Sequence, residues 1–339
     1  MSIKRLDYID EIRGIAILLV VVGHIIQFNG ISKNNSVFEF IYSFHMPLFF
    51  AISGYITQKV TNITNTKQYI TFLKKKFIAL IIPLLTWSLV VNKLFLKEKW
   101  NTLNWSDIQN VLISPGLWFL QVLFVILCFY GIFNWISSKK IRINPIINFL
   151  ISILPVISLS LFAIYIQFMG VYLVLYSIAF YIGVILSKYI LVEKLCTKTI
   201  TYTIAIVAFM ILSTHWTFNG NYIDNILKIT ISTAAFIVLL NLFTRIELPN
   251  RIKHSLQLFG KYSLGIYVIQ FYLCKFSSQQ IEINEMNINP IILFIITTII
   301  AIPICYICVA IAKMIETNKL LNFIMLGKHS IFRLDTHVP

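Results

Sequence analysis

"RGIAILLVVVGH", residues 13–24, is an unbroken apolar run bracketed by an arginine and a histidine. If it is a membrane helix, both polar residues sit where charge is expensive. Eleven residues make three helical turns plus roughly 20°, so Arg13 and His24 share one face. They lie roughly 16 Å apart along the axis. One face thus carries a fixed cation near a membrane boundary and a titratable ring past the midplane. Each also has a plain reading: Arg13 as a side chain snorkelling to the headgroups, His24 as packed core.

The remaining chain tells which solvent this helix sees. Of its 339 residues 58% are hydrophobic and only 12% charged, against about a quarter charged in soluble domains. Apolar runs of roughly 17 to 25 residues can cross a hydrocarbon core. Ten appear, near 12–29, 38–57, 77–96, 117–136, 146–166, 169–187, 199–217, 224–243, 262–280 and 290–313. With the N-terminus inside, most of the lysines and arginines fall in the inner segments, among them Lys4, Arg5 and Arg13, Lys59, Lys67 and Lys74–Lys76, Lys139, Lys140 and Arg142, Lys188, Lys194 and Lys198, then Arg245–Lys261 and Lys313–Arg333. That is the positive-inside pattern. The expected fold is an all-α, polytopic integral membrane protein of about ten transmembrane helices with cytoplasmic N- and C-termini. Residues 1–313 form the membrane domain and 314–339 a short basic cytoplasmic tail. The net charge of +15 then reads as topology, with no nucleic-acid partner. The first span lacks a small-residue cleavage site and is expected to stay as an anchor. Cys305 and Cys308, one turn apart with no acid or histidine alongside, read as packing residues, and no metal site is expected.

The second span, "FIYSFHMPLFFAISGYI", residues 40–56, descends from the opposite face. By rise per residue His45 reaches nearly the depth of His24. Pro47 can open the backbone locally, and Ser53 and Gly54 permit close helix contact. Two histidines at one depth on consecutive antiparallel helices suggest a shared polar pocket; the plainer alternative is that His45 caps a carbonyl freed near Pro47. Asp10 is placed to pair with Arg13 at i, i+3. It is too far from His24 to orient it, so a partner for His24 must come from another helix.

These stretches resemble a known family. "IDEIRGIAILLVVVGH" is similar to the N-terminal motif of the membrane acyltransferase-3 family, an arginine and a histidine separated by ten residues. The second-span stretch resembles that family's branch related to fucose 4-O-acetylase. "GLWFLQVLF" (116–124) and "FGKYSLGIYVIQFYL" (259–273) resemble two weaker family stretches. The chain departs from the pattern at Ala79, where a second basic residue is expected after Lys76, and at Gln270, where many members carry histidine. The resemblance implies a membrane O-acyltransferase, most often an O-acetyltransferase. Its donor would be cytoplasmic acetyl-CoA or another acyl-CoA, and its acceptor a hydroxyl on a glycan or lipid-linked sugar. The expected location is the plasma (inner) membrane of a bacterium, in contact with the lipid bilayer, and a homo-oligomer is left open. His24 would be the general base with His45 beside it, and Arg13 part of the donor site. Lys74, Lys75 and Lys76 also suit the coenzyme A phosphates by charge. Ser53, Tyr55, Trp118 and Gln121 are candidates by residue type for substrate binding and oxyanion stabilisation; Trp118 equally suits an interfacial anchor. The competing reading is a multi-pass transporter or flippase, which midplane polar residues and intramembrane prolines also fit.

Overall fold

The structure, a computed structural model, describes residues 7–31, 35–96, 116–138, 145–166, 170–218, 221–275 and 289–328. Among these every regular element is helical: α1 Asp7–Phe28, α2 Ser36–Tyr42, α3 His45–Val60, α4 Thr66–Leu85 with a wider π-type continuation Thr86–Leu96, α5 Trp118–Ser138, α6 Pro145–Ile166, α7 Gly170–Lys188, α8 Ile190–Cys196, α9 Thr199–His215, α10 Tyr222–Arg245, α11 Asn250–Lys261, α12 Ser263–Leu273, α13 Pro290–Thr317 and α14 Lys319–Leu326. Five stretches are long and apolar enough to cross a bilayer: Ser36–Val60, Trp118–Ser138, Gly170–Lys188, Tyr222–Arg245 and Pro290–Thr317. α8 and α9, bent by 67°, make a sixth if taken together. The ten apolar runs of the sequence are thus mostly helical where described, and five to six stretches are membrane-capable by length and composition. Lys139, Lys140, Arg142 and the tail beyond residue 328 lie outside the described residues.

Local chemistry explains the boundaries. Asp7 and Asp10 sit in the first turn of α1, where carboxylates complement the positive end of the helix dipole. Asn35 caps α2, its side chain accepting from the Val37 and Phe38 amides at 3.0 and 3.1 Å. The run 38–57 is not one straight helix: it breaks at Ser43–Phe44, between α2 and α3. Pro47 falls in the first turn of α3, where its missing N–H is tolerated; inside a continuous helix it would have left the Ser43 carbonyl unpaired.

The helices divide into two compact units. The first, residues 1–61 and 178–310, is held by two reciprocal glycine contacts. A Cβ on Gly14 of α1 would collide with the Leu256 carbonyl of α11, and one on Gly260 of α11 with the Asp10 carbonyl of α1. A Cβ on Gly54 of α3 would likewise strike the Phe180 carbonyl of α7, and one on Gly183 the Ala51 carbonyl of α3. Such backbone-to-backbone approach is how helices associate where lipid offers no hydrophobic drive. Phe50, Tyr55, Phe180, Phe236, Ile12, Ile17, Ile26 and Leu48 fill the interior. Ile200, Ile204 and Val207 on α9 and Ile291, Ile295 and Ile299 on α13 are exposed, as lipid-facing residues are.

In the second unit, residues 62–177 and 311–339, α4 packs on α5. Tyr69 stacks on Trp135 with centroids 6.2 Å apart, and Asn134 Oδ1 accepts from the Ile63 amide at 3.2 Å. Trp87 Nε1 donates to the Met325 carbonyl at 2.9 Å. Gly327 ends α14 in the left-handed conformation, φ 62°, a role for which glycine is suited.

Candidate active site

The first unit brings both histidines into one polar cluster. His24, half-buried on α1, has its Nδ1 2.6 Å from Nε2 of Gln270 on α12. Its ring stacks on Phe28 at 4.9 Å. Gln270 is itself fully buried. His45 opens α3 and is 2% exposed. Its Nδ1 donates to the Ile41 carbonyl at 2.7 Å. At the break the Ile41 carbonyl also takes the Phe44 N–H at 3.4 Å, so the ring is a second donor to it, and the carbonyl that Pro47 would leave unpaired is a different one, that of Ser43. The ring contact uses one nitrogen and leaves the other.

Tyr42 ties the two together. Its ring meets His45 edge-on at 4.6 Å. Its hydroxyl donates to Gln27 Oε1 at 2.6 Å, and Gln27 sits three residues past His24 on the same helix. Lys228 is half-buried on α10 of the same unit. The Lys228 ammonium stands 5.1 Å over the Trp216 ring, a cation–π contact that suits a charge in a dry setting.

Arg13 lies at the other end of α1. Its Nη2 donates to Ser263 Oγ at 2.8 Å and its Nη1 is 3.9 Å from Asp10 Oδ1, the i, i+3 pair expected from the sequence. α12 therefore supplies partners to both motif residues of α1, Ser263 to Arg13 and Gln270 to His24.

The other candidates sit elsewhere. Tyr55 is ten residues beyond His45 on α3, about 15 Å along the helix. It is fully buried and donates to Glu193 Oε1 at 2.6 Å, where Lys59 also binds at 3.0 Å. Its hydroxyl also meets Tyr8 at 3.2 Å. Tyr55 thus belongs to a structural network near Glu193 rather than to the histidine cluster. Ser53, eight residues from His45, is about 12 Å along the helix from it. Lys74, Lys75, Lys76, Trp118 and Gln121 belong to the second unit. There Lys74 and Lys75 are exposed, Lys76 lies over the Phe72 ring at 5.4 Å, Trp118 stacks on Tyr176 at 5.0 Å, and Gln121 is buried.

Sequence reading missed Gln27, Tyr42 and Lys228, and it named no partner for His24. Gln27 and Tyr42 stand one turn from their histidines, so helical spacing could have flagged them. Lys228 is a lysine flanked by apolar residues within a membrane-capable helix, which marks a site by default.

The class that this fold and cluster define is a helical membrane protein with an ionisable pair inside its helix bundle. The chain belongs to the family described as acyltransferase domain, whose model matches residues 6–310. It is similar to "Nodulation protein NolL" of Sinorhizobium fredii, 28% identical over 164 residues, 44% of each chain. It is also similar to "Nodulation protein NolL" of Mesorhizobium japonicum, 32% identical over 87 residues, 24% of this chain and 22% of the relative. The match spans less than half the length of these curated relatives. No solved structure matches the chain.

Proposed function

We propose that the protein is a membrane O-acyltransferase, in the first instance an O-acetyltransferase. It would move the acyl group of a cytoplasmic acyl-CoA to a sugar hydroxyl of a cell-surface or lipid-linked glycan in a bacterial plasma membrane. The observation that carries this reading is the histidine pair, held by Gln270 and the Ile41 carbonyl within a chain whose family match runs from residue 6 to 310. A hydroxyl attacking a thioester must lose its proton, and a neutral imidazole accepts one near pH 7. Arg13, on the face of His24 and roughly 16 Å from it, would hold a coenzyme A phosphate while the pantetheine arm reaches inward. The likeness of the second span to the fucose 4-O-acetylase branch supports a sugar hydroxyl as acceptor.

The test uses the purified full chain in lipid vesicles with acetyl-CoA. Release of free coenzyme A, together with an acetyl mass increment on glycans from cells that carry the protein and its loss on deletion, is the expected result. A transporter would leave the thioester intact, and that outcome would remove the acyl-transfer reading.

A further inference from the structure

The two rings of the pair do not present the same nitrogen chemistry. A carbonyl oxygen only accepts, so the 2.7 Å contact from His45 Nδ1 to the Ile41 carbonyl places the ring proton on Nδ1. In the neutral ring Nε2 then carries the lone pair. His24 has the opposite sense. The Gln270 amide is oriented by two further contacts: its Nε2 lies 3.3 Å from the Tyr267 carbonyl, and its Oε1 accepts from the Cys274 thiol at 3.1 Å. Turning the amide over would set oxygen against oxygen at Tyr267. The group facing His24 Nδ1 at 2.6 Å is therefore an N–H donor, Nδ1 accepts, and the neutral ring holds its proton on Nε2. Neither Nε2 has a hydrogen-bonding partner among the described residues.

We propose that His45, not His24, is the general base, and that Nε2–H of His24 is the donor that receives the thioester carbonyl oxygen as it becomes an oxyanion. The assignment rests on the acyl-transfer reading. In the reaction the acceptor oxygen attacks the thioester carbon, and its proton passes to His45 Nε2. The new C–O bond forms, the negative charge that develops on the carbonyl oxygen is met by the His24 N–H, and the C–S bond breaks on collapse. The leaving thiolate takes the proton back from His45, giving an ester and free coenzyme A. One ring thus gives a hydrogen bond while the other takes a proton, a division that two identical tautomers could not make.

Amide isosteres separate the roles. Asparagine at 45 reproduces the Nδ1–H that caps Ile41 but has no Nε2. Glutamine at 24 reproduces Nε2–H but cannot take a proton. The assay is transfer of a labelled acetyl group from acetyl-CoA into base-labile ester in membranes of the native cell carrying each full-length variant, with each variant checked for a monodisperse profile in detergent. His45→Asn is expected to lose about 10² to 10⁴ in rate. His24→Leu is expected to lose about 10² to 10³, the size of one oxyanion donor, and His24→Gln to recover at least about tenfold over His24→Leu. If His45→Asn stays within about tenfold of wild type, or His24→Gln is as inactive as His24→Leu, the assignment is overturned. Failure of the wild type to transfer label would instead remove the acyl-transfer reading. The tautomers are read independently by NMR of the histidine-labelled protein: proton on Nε2 for His24 and on Nδ1 for His45 is expected, and the reverse pattern overturns the division of roles.

Discussion

Gln270 carries no charge, yet its amide faces Nδ1 of His24 and so orders which ring nitrogen holds the proton. Arg13 poses the matching question at the other end of the helix, since it has both a structural partner in Ser263 and a charge that suits a phosphate. The two roles separate by substitution. Arg13→Ala removes the cation and is expected to weaken coenzyme A binding by about 10- to 100-fold, the worth of one charged hydrogen bond. Ser263→Ala removes the same internal hydrogen bond but leaves the cation, and is expected to keep donor affinity near wild type. Equilibrium binding of coenzyme A to both variants in detergent decides; equal losses would make Arg13 structural. Much of this was legible in the sequence, because Arg13, His24 and the Asp10 pair follow from spacing along a single helix. The partner of His24 was not, since Gln270 lies 246 residues away and no local pattern joins the two. Tyr55 looked suitable by type and position on α3, but its hydroxyl is committed to Glu193, a contact between distant segments.

At the scale of elements, glycine rather than apolar mass decides which helices touch. Gly14 and Gly260 bring α1 against α11, and Gly54 and Gly183 bring α3 against α7. Gly14→Ala and Gly183→Ala are each expected to destabilise the protein by about 2 kcal/mol, the usual cost of overpacking. Gly170→Ala, whose Cβ would meet nothing within 4 Å, should stay within about 0.5 kcal/mol. Thermal unfolding in one detergent checks all three, and a Gly14→Ala midpoint equal to that of Gly170→Ala would show that α1 and α11 can move apart freely. The sequence showed that these segments are helices, because apolar runs of that length have little alternative in lipid. It did not show α11. Arg251, Lys253 and Lys261 made 245–261 read as an inner loop, whereas Leu256 and Phe259 are buried on one side of a helix there. Nor did it show the break at Ser43–Phe44, which lies upstream of the proline that makes a continuous helix unfavourable. At that break the Ile41 carbonyl takes the Phe44 N–H and the His45 ring together, and the second contact orients the ring.

For the whole molecule, orientation decides from which side each substrate arrives. Lys59, Lys67 and Lys74–Lys76 surround the connection between α3 and α4, and Lys188, Lys194 and Lys198 surround α8. The positive-inside expectation puts both regions on the cytoplasmic side. On that expectation the connection between α9 and α10 would be on the outer side, with Lys228, six residues into α10, toward that face. Donor entry from the cytoplasm and acceptor entry from outside follow only if this holds. Labelling with a membrane-impermeant maleimide tests it. Cys196, Cys274, Cys305 and Cys308 are buried and Cys128 is partly so, so background from the native thiols is expected to be low. Thr64 and Asn221 are both exposed, which makes Thr64→Cys and Asn221→Cys suitable reporters of the two faces. Asn221→Cys should label in intact cells, and Thr64→Cys only after the cells are opened. The reverse pattern would place Arg13 and the α4 lysines outside, where no coenzyme A thioester is made, and the donor site would have to be sought at the opposite end of the helices.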